Sequence, residues 1–229
     1  VTTMLKKRNS GQSFIELALV IPLLLMLIAG LVEVGFFIHS YLTLLDLTRE
    51  AARFASLRDP FTLNAAGGTL PDAACSDGNT LHYYFDTACI ILDTGFNPFV
   101  PLDTNLDDIA ISVLTVSGNT ISNRWPADSD GVWSLSTASD GWAGSESWTK
   151  DCDGNVINTT PYFTNTEVQS MFQAGAPTNK GIVIVEVYYC YHHVLNLPIL
   201  SDYVDNPLRM HAYSIMPAFE AIPTPTPIP

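Results

Sequence analysis

Apolar and polar positions divide this chain into two unlike stretches. From Leu17 to Val32 the sequence LALVIPLLLMLIAGLV carries no charge, and apolar character resumes after Glu33 as far as Ile38. A helix over 17–38 rises about 33 Å at roughly 1.5 Å per residue, enough for one bilayer crossing. Polar residues then become frequent, yet Leu42, Leu45 and Ala52, and likewise Leu44, Leu47, Ala51 and Ala55, still recur at helical spacing. Between Phe36 and Asp59 there is neither Pro nor Gly, and Pro60 supplies the stop. The pattern predicts one long N-terminal helix within 12–57, regular from about Phe14 to Ser56, part in membrane and part outside. Pro22, Gly30 and Gly35 are its expected bend points.

Past this helix the period changes. DIAISVLTV (108–116), GIVIVEVYYCYHHV (181–194) and LRMHAYSIM (208–216) are β-branched and aromatic runs with partial alternation, the mark of strands. Ser117-Gly118-Asn119 offers a turn into TISNRW, which predicts a hairpin. On the 181–194 strand His192 and His193 would face opposite sides. Between the strands lie turn-rich loops with Ser-Asp-Gly at 76, 129 and 139 and Cys-Asp-Gly at 152, at spacings too unequal for a structural repeat. The expected class is α+β, a long N-terminal transmembrane helix packed on an antiparallel sheet head with long disulfide-stapled loops. The head would occupy 58–219 with a loop-rich insert over 58–180. The closing 220–229 segment, ending AIPTPTPIP, reads as an extended Pro/Thr tail.

Charge sorts with this division. Residues 1–58 carry six Lys/Arg and four Asp/Glu, whereas 59–229 carry four and nineteen, so the formal −13 is +2 in the first part and −15 in the second. Such an acidic body repels nucleic-acid phosphates, which excludes DNA and RNA as expected partners. Lys6, Lys7 and Arg8 precede the apolar run, and Arg49 is the first basic residue after it. The positive-inside rule then keeps the N-terminus cytoplasmic and exports the acidic body. A secretory signal is the competing reading, but the run is longer than a signal core and no Ala-x-Ala site follows.

Glu16 stands at the edge of the apolar run, where an uncompensated carboxylate costs a few kcal/mol. It is either interfacial or paired. A basic leader over 1–11, Gly11 followed by Gln12, and Glu16 fifth from the new end resemble the processing site of type IV pilin-like precursors. The resemblance extends over 11–56, through Gly11, Glu16, Ala18, Pro22, Gly30, Glu33, Gly35 and the closing Arg49, Glu50, Ala51, Ala52 and Arg53. That stretch is similar to the TadE-like family, pilin-like proteins of the tight-adherence pilus machinery. The resemblance implies cleavage by a prepilin peptidase after Gly11 on the cytoplasmic side, and Glu16 matched to the amine of a neighbouring subunit during assembly. Glu33 would meet the outer headgroup layer or a partner helix. Other pilin-like subunits, copies of itself among them, and the assembly machinery are the implied partners. The location would be the cytoplasmic membrane with an exported body, and the cell surface when assembled. Two departures, the long 58–180 insert and the absence of Tyr after Glu16, imply a minor pilin or pseudopilin. The alternative is an uncleaved, membrane-tethered binding or adhesion module in which Glu16 is only interfacial.

Cys75, Cys89, Cys152 and Cys190 all fall in the exported part, where disulfides form. Of three pairings the favoured one joins Cys75 to Cys89 and Cys152 to Cys190. Zinc is disfavoured because no Cys-x-x-Cys spacing occurs. Asp151, Asp153 and Asn155 follow the opening of a calcium loop without its terminal acidic ligand, and Asp128 with Asp130 forms a weaker version. A solvated turn is the plainer reading of both. Asn158-Thr159-Thr160 fits a glycosylation sequon. Trp125, Trp133, Trp142 and Trp148 are either loop anchors or an exposed carbohydrate platform. No nucleophile elbow, phosphate loop or dinucleotide fingerprint is present, so no enzymatic activity is expected.

Overall fold

The computed structural model describes residues 10–60, 83–92, 100–103, 106–118, 120–126, 131–135, 149–158, 161–172, 181–196 and 204–218. Helix α1 (Ser10–Ser56) is 47 residues and so about 70 Å long, and it continues through Pro22. It ends where the Leu57 and Arg58 N–H groups fold back onto the Phe54 and Ala55 carbonyls, a tightened last turn just ahead of Pro60. Helix α2 (Tyr83–Leu92) follows, then strands β1 (Asp108–Ser117), β2 (Thr120–Trp125), β3 (Trp133–Ser134), β4 (Thr149–Lys150) and β5 (Val156–Asn158). Helix α3 (Asn165–Ser170) precedes the two long strands β6 (Gly181–Tyr191) and β7 (Leu208–Ala218).

The main sheet is antiparallel, in the order β2-β1-β6-β7, with β3 pairing beside the first half of β1. The expected hairpin forms between β1 and β2, and Gly118 at φ +62° supplies the left-handed turn residue. Register places Ile111 opposite Val185 and Val185 opposite Ser214. By the pleat, Ile109, Ile111, Val113, Val183, Val185 and Val187 face one layer, where they meet Leu44, Leu47, Ala51, Ala52 and Ala55 of α1. Alanines at 51, 52 and 55 let the helix lie close to the sheet. Helix α2 completes this layer: Tyr84 stacks on Trp133 at 6.1 Å and Phe85 meets the same ring edge-on at 5.0 Å. The described tryptophans therefore anchor the core, and Trp125 donates from Nε1 to Thr115 Oγ1 at 3.0 Å. Trp142 and Trp148 lie outside the described residues.

The opposite face of the sheet is covered as well, which the partial alternation left open. Leu114 and Ile184 pack against Phe163 and Val168, Ala110 and Tyr188 pack against Val132, and a disulfide ties Cys152 to Cys190 of β6. Nine of ten residues of β1 are buried as a result. Helix α3 is short and held by a capping box: Glu167 N donates to Thr164 Oγ1 and Thr164 N to Glu167 Oε2. The strand expected over 181–194 ends at Tyr191, so His192 and His193 are not on opposite strand faces. They open the β6–β7 connection instead, His192 exposed and His193 half-buried.

Asp107 joins the start of β1 to β6, its carboxylate accepting from Cys190 N and Asp103 N, both at 2.7 Å. Burial pushes this carboxyl up to about 6 against those two hydrogen bonds, with Asp103 adding repulsion. The folded value lies above the unfolded one near 4, so the group favours folding fully below about pH 4. That contribution is lost as pH rises through about 6. Between pH 4 and pH 7 denaturant unfolding of the wild type should lose about 2 kcal/mol relative to the Asp107→Asn variant, screening included. Parallel pH profiles of the two proteins would refute this.

Candidate functional site

Residues 14–28 of α1 are exposed on every side. The most apolar 18-residue window of the helix has mean hydropathy 2.7, and none of it is buried against the rest of the protein. Leu19, Leu23, Leu27 and Leu31 are 58–75% exposed. A helix of a soluble core would hide these side chains, so this surface calls for lipid or other helices. Gly11 and Gln12 lie in its first turn, and Glu16 is exposed at the start of the apolar surface.

From Phe14 onward, Ala29 and Gly30 are the first residues of α1 to be partly covered, and Glu33 is the first to be buried, at 5% exposure. From there Glu33, Phe37, Ser40, Leu44, Leu47, Ala51 and Ala55 form a covered stripe at three- and four-residue spacing. Three donors of the head converge on the Glu33 carboxylate. Tyr191 Oη and Val194 N donate to Oε1, and Leu195 N donates to Oε2, each at 2.8 Å. Phe37 packs edge-on to the Tyr191 ring, 5.5 Å between centroids. Two backbone N–H groups at the end of a strand have no ladder partner of their own, and a buried carboxylate needs donors; each satisfies the other. The side chain expected at the headgroups or on a partner helix is thus engaged by the chain's own head.

Along α1 an exposed apolar segment, a near-terminal Glu16, and a second Glu33 where the head begins follow in order. Residues 11–53 match the family model for TadE-like protein. The match ends within the last turns of α1, so the TadE-like segment is this helix, and it points to a component associated with the tight-adherence pilus. No curated protein and no solved structure matches the chain.

Outside the TadE-like segment the polar side chains serve the fold of the head. Arg124 of β2 donates from Nε to Gly131 O at 2.9 Å, from Nη1 to Phe163 O at 2.6 Å and Asn165 Oδ1 at 3.2 Å, and from Nη2 to Ser112 Oγ at 2.9 Å. Its burial pulls the guanidinium down to about 10, opposed by the nearby Glu186. Gly131 sits at φ +77° against the Arg124 stem, where a Cβ would collide with Cγ and Cδ. Glu186 is 1% exposed, and its Oε2 lies 2.8 Å from the Tyr188 hydroxyl that donates to it and 2.9 Å from His211 Nε2. Neither Arg124 nor Glu186 stands out in the sequence, because a single charge within a strand run carries no motif.

The favoured cysteine pairing is met where it can be read. Cys152 and Cys190 are joined and Cys89 is disulfide-bonded, while Cys75, its expected partner, lies outside the described residues. In the 151–155 turn Asp151 Oδ1 accepts from the Asp153 and Asn155 N–H groups at 2.9 and 2.7 Å, and Oδ2 from Asn155 Nδ2 at 3.0 Å. These hydrogen bonds hold the Asp151 carboxyl below the usual carboxylate range, the Asn155 side chain contributing most. Its oxygens thus face donors, in the manner of an Asx turn. Among the described residues no group of three or more His, Cys, Asp or Glu is placed to hold a metal ion. Asp128 and Asp130, and Thr159 and Thr160 of the sequon, lie outside the described residues.

Proposed function

We propose that this chain is a pilin-like assembly component, a minor pilin or pseudopilin, of a tight-adherence pilus, inserted in the membrane and incorporated through α1. The observation that carries this reading is the TadE-like match over a helix whose apolar surface the protein itself leaves uncovered. The distribution of that surface supports it further. From Phe14 to Val32 no residue of the helix is buried, over 19 residues, or about 28 Å, close to the hydrocarbon thickness of a bilayer. Beyond Glu33 the head covers one side only, and Val34, Phe36, Ile38, Tyr41 and Leu42 remain exposed on the other. Lipid accounts for the first part, and the helix of a neighbouring subunit accounts for the second.

In this reading a prepilin peptidase removes 1–11, and the new Gln12 amine of one subunit meets Glu16 of the next. Burying a lone carboxylate among packed helices costs several kcal/mol, and an opposite charge offsets it while setting the axial register. Glu16→Ala should therefore leave membrane insertion intact and abolish recovery of the protein in sheared surface material, with Gln12 as the N-terminal residue by mass spectrometry. Undiminished recovery of Glu16→Ala, with an intact basic leader, would favour the uncleaved tethered module instead.

A further inference from the structure

We infer that Val194 and Leu195, at the start of the β6–β7 connection, are a membrane contact seated in the outer lipid interface beside α1; this rests on the reading of α1 as a membrane span. The Glu33 carboxylate holds the Val194 and Leu195 amides at 2.8 Å, so these two residues are fixed in height along the helix. Side chains on a helix lean toward its N-terminus, so the carboxylate lies below its own Cα, over the preceding turn. Ala29 and Gly30, in that preceding turn, are the first residues of α1 from Phe14 onward to lose exposure. The head therefore reaches down to the outermost turn of the apolar span, a level where Leu31 and Val32 are still 75% and 39% exposed.

At that level the connection presents apolar side chains outward. Val194 is 57% exposed and Leu195 40%, although their backbone N–H groups are engaged by Glu33. Farther along, Val204 is 36% exposed. In sequence the connection continues from Asn196 as Leu197-Pro198-Ile199-Leu200, and no Lys or Arg occurs from His192 to Leu208. Asn206 clasps the two ends of the described part, accepting from His193 N at 3.0 Å and donating to Asn196 Oδ1 at 3.1 Å. Two aliphatic side chains held at this height beside a membrane span, with no Lys or Arg in the connection, are suited to the acyl–headgroup boundary, with attraction that is apolar and insensitive to salt.

The test uses the full chain in phosphatidylcholine vesicles, with an environment-sensitive fluorophore on a cysteine introduced as Val194→Cys, and Leu24→Cys and Met171→Cys as references. Substitution at Val194 keeps the amide that bonds Glu33. Expected is a blue shift and loss of signal to shallow spin-labelled lipid at 194, unchanged by added salt, with deep quenching at 24 and none at 171. Quenching at 24 with 194 behaving like 171 would overturn this inference and leave the membrane reading standing. No quenching at 24 would overturn both. A shift at 194 that appears only at high protein-to-lipid ratio would assign the surface to a protein partner and overturn the lipid contact.

Discussion

Glu33→Ala is expected to loosen the head from α1, weakening it by about 3 kcal/mol and speeding amide exchange at Val194 and Leu195 roughly a hundredfold. The substitution strands two part-buried N–H groups and the buried Tyr191 hydroxyl at once, and each unsatisfied buried donor costs on the order of 1–3 kcal/mol. Glu33→Gln keeps one acceptor oxygen and places an NH2 group against a donor, so its effect should be intermediate. Tyr191→Phe removes a single donor and keeps the ring against Phe37, and about 1 kcal/mol is expected. The order Ala, Gln, then Tyr191→Phe is the signature of a carboxylate that joins helix and head. Exchange at 194 and 195 that is the same in wild type and Glu33→Ala would show that the docking relies on packing alone. A loss of pilus incorporation in Glu33→Ala would then follow from a loosened head, whereas loss in Glu16→Ala, with exchange at 194 and 195 unchanged, reports on assembly itself.

Arg124→Met should destabilise the head by about 3–5 kcal/mol, the scale for removing one member of a buried charged network. The long apolar stem is preserved, so the loss comes from the guanidinium. Carbonyls of Gly131 and Phe163 lose their donor, and buried Glu186 loses the cation that opposes it. Arg124→Lys restores charge without the planar fork and should recover only part of the loss. Denaturant unfolding in detergent measures the total. Amide exchange over 161–172 locates it, since α3 and Phe163 are what Arg124 ties to the sheet. Equal midpoints for wild type and Arg124→Met would mean that the disulfide and the Leu114–Phe163–Val168–Ile184 cluster hold the insert unaided.

Helix α1 and strands β1, β2, β6 and β7 were legible because each is long enough to carry a period or an aliphatic run. Helix α2 was not: YYFDTACIIL is ten residues with buried side chains on most of its circumference, and it shows no amphipathic stripe. Helix α3 had a readable start in Thr164-x-x-Glu167, a capping box that the surrounding turn residues masked. Strands β3 and β4, of two residues each, are defined only by their partners.

Sequence alone determined the elements whose cause is local: an apolar run long enough to span a bilayer, its basic flank, Glu16 five residues after Gly11, and the division between a helical and a β-rich part. Hydrophobic periodicity and charge act within a few residues of one another, so they can be read without coordinates. Tertiary structure decided what Glu33 and Arg124 do. Glu33 meets donors 158–162 residues away and Arg124 an acceptor 39 residues away. A buried charge is tolerated only where the fold brings polar partners to it, and chain separation carries no trace of which partners those will be.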